Sequence, residues 1–90
     1  MFYSAKLIFE LRSLQPSGDE PLREERIVLI DASDEADAQK EALALGKEGE
    51  HEYMASDGGT VSVKFIELDR LHIINADKLE HGSELYSEYV

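Results

Sequence analysis

Imidazole and carboxylate side chains offer the most chemistry in this chain, and five of them, Asp69, His72, Asp77, His81 and Glu84, fall within one short stretch. Nitrogen and oxygen ligands in that mixture suit a first-row transition metal. Their spacing fixes no common face, because His72 falls in an expected strand and His81 beside Gly82 in an expected loop. They read as ordinary surface residues, and no metal is expected. His51 lies within a run of acids and reads as an exposed residue at a helix end. Adjacent carboxylates such as Glu24 and Glu25 resemble an acid and base pair, yet 20 acids in 90 residues produce such neighbours by chance. Catalysis by such a pair needs a cleft and a perturbed pKa besides.

Other reaction templates fail on their residues. No G-x-S-x-G elbow, phosphate-binding glycine loop or G-x-G-x-x-G is present, and His51-Glu52 continues into Tyr53, Met54 and Ala55 instead of completing a zinc-protease helix. Asp57-Gly58 lacks the alternating oxygen ligands of a calcium loop. The absence of Cys excludes disulfides, zinc ribbons and thiol catalysis. The expectation is therefore a non-catalytic interaction module without a cofactor. A carboxylate- or metal-assisted hydrolase is the alternative in the enzyme class, and an acidic inhibitor or immunity-type protein with a basic partner is the alternative among binding proteins.

Charge narrows the partners. The formal net charge is −11, and the middle third of the chain holds nine acids against two bases. Such a surface repels phosphate backbones, which proteins bind chiefly by neutralising them with Lys and Arg, so nucleic acid is not an expected partner. An acidic surface either keeps a helix face solvated or meets a basic protein. No uninterrupted apolar run exceeds four residues, far short of the roughly 18 to 20 a membrane helix requires, so no membrane partner is expected. Met1 to Leu11 is broken by Ser4, Lys6 and Glu10, unlike the apolar stretch of a signal peptide, and a cytoplasmic protein is expected.

The elements that must position these groups follow from periodicity. Leu, Ile, Val and Phe make up 24 of the 90 residues, above the roughly 20% at which highly charged chains stay disordered, and the length suits one domain over 1–90. Phe2 to Leu11 alternates, with Tyr3, Ala5, Leu7, Phe9 and Leu11 on one side, which predicts a strand with one buried face. Ser13 to Pro21 carries two Pro, a Gly and two Ser and predicts a loop. Leu22 to Ala32 predicts a second strand, apolar on both faces at Ile27 to Ile30 and so expected to be central and covered on both sides.

Ser33 is placed as an N-cap, followed by acids that favour the positive end of a helix dipole. The apolar stripe Ala38, Ala42, Leu45, Gly49 and Tyr53 then predicts a helix over 34–53, with a weak last turn. Ser56-Asp57-Gly58-Gly59 predicts a turn. Thr60 to Leu68 predicts a strand whose phase slips near Phe65 or Ile66, as at a bulge. Leu71 to Ile74 extends it or starts a short strand, Asn75 to Ser83 forms a loop, and Glu84 to Val90 alternates as a last strand. The predicted fold is α+β in the order β-β-α-β-β: an antiparallel sheet of four strands, with room for a fifth. One long helix crosses a single face through Ala38, Ala42, Leu45 and Tyr53. The other face would offer Phe2, Ile8, Ile27 and Leu29, which predicts a homo-oligomer, most simply a dimer. The rival is a monomer whose loops fold over that face.

Four stretches, "FYSAKLIFEL", "EERIVLIDASDEADAQKEAL", "DGGTVSVKFIEL" and "GSELYSEYV", together resemble the small bacterial domain of unknown function numbered 4288. The likeness spans nearly the whole chain in order. The ending is similar to a Gly-x-Glu-hydrophobic-Tyr-Ser signature, carried by Gly82, Glu84, Leu85, Tyr86 and Ser87. The resemblance implies a fold but no reaction, cofactor or ligand. It points to Glu25, Arg26, Glu84, Tyr86 and Ser87 as the polar groups of a shared ligand- or partner-binding surface, with Arg26 reaching Glu84 or Tyr86 if the last strand lies beside the second.

Overall fold

A computed structural model describes residues 1–14, 20–56 and 58–74. The strands are β1 (Phe2–Ser13), β2 (Leu22–Asp31), β3 (His51–Met54) and β4 (Thr60–Ile74), and the one helix among the described residues is α1 (Glu35–Glu48). All neighbouring strands are antiparallel, in the spatial order β2-β1-β4-β3. The architecture is α+β in the order β-β-α-β-β, with β3 formed by residues expected to end the helix. The expected strand over 84–90 and the loop over 75–83 lie outside the described residues.

β1 is the centre of the sheet, and its alternation is realised: Tyr3, Ala5, Leu7 and Phe9 are buried beneath the helix. The register places Val28 and Ile30 of β2 beside Ala5 and Tyr3 on that face. On the other side of β1, Phe65, Leu68 and Leu71 stand opposite Phe9, Leu7 and Ala5. Those three cannot share a face in an unbroken strand, since alternation would send Leu68 away from Phe65. Two register shifts resolve this by leaving Ile66 and then Asp69 as extra residues in β4. The first is the predicted slip, and Leu71 to Ile74 continues the same strand.

The helix rests on this face through Ala38, Ala42 and Gly46, all buried. Leu45, expected in the contact, is 38% exposed. Its N-cap is Asp34, not Ser33. The Asp37 N–H donates to Asp34 Oδ1 at 2.8 Å, while Ser33 Oγ donates to the Asp37 carboxylate at 3.2 Å. Serine one residue earlier therefore braces the first turn from outside it.

The helix ends at Glu48 instead of running to Tyr53. Gly49 closes the last turn, its N–H donating to Leu45 O at 3.0 Å and to Gly46 O at 3.2 Å. Tyr53 then pairs with Val61 in a hairpin whose strands are β3 and β4. Helical spacing persisted past Gly49, but ladder hydrogen bonds to β4 replace the turns that two glycines and three nearby acids weaken. The predicted turn is present: the Ala55 N–H donates to Gly59 O at 2.7 Å, and Gly58 takes a φ of +87°. That conformation suits glycine, which lacks the Cβ that clashes there.

The expectation for the second strand is corrected. Among the described residues β2 is an edge strand, with Ile27 55% and Leu29 63% exposed. Its apolar centre signals an outward patch, not double coverage.

Candidate functional site

Among the described residues β2 forms one edge of the sheet along its whole length, and its residues divide between two faces. Even-numbered Glu24, Arg26, Val28 and Ile30 share the helix face, because Ile30 and Arg26 pair with the core residues Tyr3 and Leu7. Odd-numbered Arg23, Glu25, Ile27, Leu29 and Asp31 share the opposite one.

On the helix face, the Arg26 guanidinium lies 4.1 Å from the centroid of the Phe9 ring and donates through Nε to the Glu24 carboxylate. The ring supplies a negative face to the cation, and the carboxylate fixes its fork. Phe9 in turn stands 5.6 Å from Phe65, with the rings tilted at 55°. Arg26 thus roofs one end of the core.

On the other face, Lys6 of β1 lies 3.7 Å from the Glu25 carboxylate and 4.0 Å from that of Asp69. Arg70 Nε stands 3.8 Å from Asp69. The Lys6 side chain is only 13% exposed, whereas Glu25 is 61% exposed, so this is one shielded ammonium reached by carboxylates from two neighbouring strands. Two acids sharing a cation make a bracing network across β2, β1 and β4. With Glu25 largely in water, the Glu25 pair is worth only about 0 to 1 kcal/mol.

Consecutive positions put Glu25 and Arg26 on opposite faces, so the structure does not bring those two expected site residues together. Glu84, Tyr86 and Ser87 lie outside the described residues. Of the histidine and acid group weighed above, Asp69 and His72 are on β4, while Asp77, His81 and Glu84 lie outside the described residues. Among the described residues no group of three His, Asp or Glu could hold a metal ion. His51 is exposed as expected but opens β3, where its Nδ1 donates to Gly49 O at 2.8 Å.

The apolar part of β2 is the more distinctive feature. Leu22, Ile27 and Leu29 are all more than half exposed. Ile27 to Ile30 carries no charge, proline or glycine to deter pairing, although such residues ordinarily blunt an edge. Among the described residues no strand lies beside β2 on the side away from β1. β3, at the far edge, has only four residues and includes His51 and Glu52. Of the apolar face expected from the sequence, Ile27 and Leu29 are exposed but Ile8 is buried, and the place of β2 at an edge of the described sheet was missed. The charged start Arg23-Glu24-Glu25-Arg26 after a proline was the available signal.

A family model described as "Domain of unknown function (DUF4288)" matches residues 2–87. No curated protein and no solved structure matches the chain.

Proposed function

The chain belongs to the family described as Domain of unknown function (DUF4288), and from that premise we propose that it is a small acidic, non-catalytic interaction module of the cytoplasm that self-associates as a dimer. The observation that carries this reading is the exposed edge β2, with Leu22, Ile27 and Leu29 turned to solvent. A ten-residue edge with an uncharged centre at Ile27 to Ile30 presents both a hydrophobic patch and a row of backbone donors and acceptors, the two ingredients of strand addition. Glu25 and Arg26 belong to this partner-binding strand. Glu84, Tyr86 and Ser87, outside the described residues, are assigned to a partner-binding surface on the family likeness alone.

Light scattering behind a sizing column tests the proposal. The expected mass is about twice the 10.1 kDa of one chain, falling to one chain when Leu29→Lys places a charge on the edge. A wild-type mass of one chain at micromolar concentration contradicts it.

A second reading rests on the helix surface. Glu35, Asp37, Glu41 and Glu48 are all exposed, which favours capture of a basic protein. A partner recovered at low salt and lost at high salt supports that reading, because screening weakens exposed charge pairs.

A further inference from the structure

The edge β2 is nearly self-complementary, and its residues select one way for two copies to meet. Two antiparallel edges related by a two-fold axis through the sheet must place one residue opposite itself, with the two helices on the same face. Centring the axis on Glu24, Glu25 or Arg26 opposes like charges at the middle. Centring it on Val28 sets Glu25 against Asp31 of the second copy. Centring it on Leu29 shortens the overlap to about half of the strand. Ile27 alone keeps 23–31 paired with no like charges opposed: Arg23 meets Asp31, Glu25 meets Leu29, Glu24 meets Ile30 and Arg26 meets Val28.

We propose that a second copy of this chain adds to β2 in this register, Ile27 against Ile27, joining two four-stranded sheets into one of eight. The proposal rests on the self-association proposed above and names its geometry. Asp31 is accessible to a second copy: its side chain is 71% exposed, and its ion pair with the Met1 amino group, at 3.4 Å, leaves the rest of the carboxylate in solvent. Arg23 is exposed as well. The ion pairs at both ends set the register, and the Ile27 and Leu29 side chains of the two copies form one apolar strip on the face opposite the helices. Under the two-fold each copy covers the β2 edge of the other, so this contact is used up in a dimer and offers no β2 edge to a third copy.

Single cysteines test the register, since the chain has none of its own. A residue facing itself across an antiparallel pair has a Cα separation of about 4.5 to 5.5 Å, within the span of a disulfide. Ile27→Cys is expected to form a covalent dimer on mild oxidation. Leu29→Cys, equally exposed but separated from its copy by about 13 Å along the strands, is expected to stay reduced. The charge reversal Arg23→Glu is expected to raise the dissociation constant about tenfold, and Arg23→Glu with Asp31→Arg to restore it. A dimeric protein in which Leu29→Cys cross-links as fast as Ile27→Cys, or in which the double reversal restores nothing, overturns the register and leaves self-association standing. A monomeric wild type overturns both.

Discussion

A Cβ on Gly46 would stand 2.6 Å from the ring of Phe65, and one on Gly49 would stand 2.8 Å from the ring of Phe9. The helix thus meets the sheet with two glycines facing two aromatic rings that also touch each other. Gly46 in α1 costs up to about 1 kcal/mol in helix propensity relative to Ala, so its use here reflects the closeness of approach.

Gly46→Ala is accordingly expected to destabilise the protein by about 1 to 3 kcal/mol despite the better helix former, because the added methyl must push Phe65 out of its packing against Phe9. Thermal unfolding checks it. A melting point several degrees lower is expected, and a higher one contradicts the close contact.

Glu50 supplies a second device at the same junction. Its Oε2 accepts the Phe65 N–H at 3.1 Å, just beyond the point where β3 begins opposite Val63. A side-chain carboxylate stands in for the ladder where, among the described residues, no partner strand continues. Glu50→Ala is expected to cost about 1 to 2 kcal/mol and to speed amide exchange at Phe65 more than at Val63, whereas Glu50→Gln keeps an acceptor and loses less. Equal exchange changes at both positions contradict this role.

Much of the fold was legible because it followed simple periods. The alternation from Tyr3 to Leu11, the turn at Gly58 and the phase slip at Ile66 are local signals that tertiary packing left intact. The helix end was not, because Tyr53 keeps helical spacing from Ala42 and only the hairpin with Val61 withdraws it from the helix. Nor was the position of β2, since Ile27 and Leu29 look alike whether a second layer or a second molecule is meant to cover them. Arg26 was singled out from the sequence, but its contact with Phe9 depends on strand pairing, which no spacing within β2 reveals.

Amide exchange along β2 at high and low protein concentration tests the edge most directly. A second copy would hydrogen-bond the outward N–H groups of 23–31, so alternate amides of this strand are expected to exchange slowly at about 200 μM and at least tenfold faster near 1 μM, while β1 stays protected at both. Rapid exchange of those outward amides at both concentrations would contradict pairing through β2.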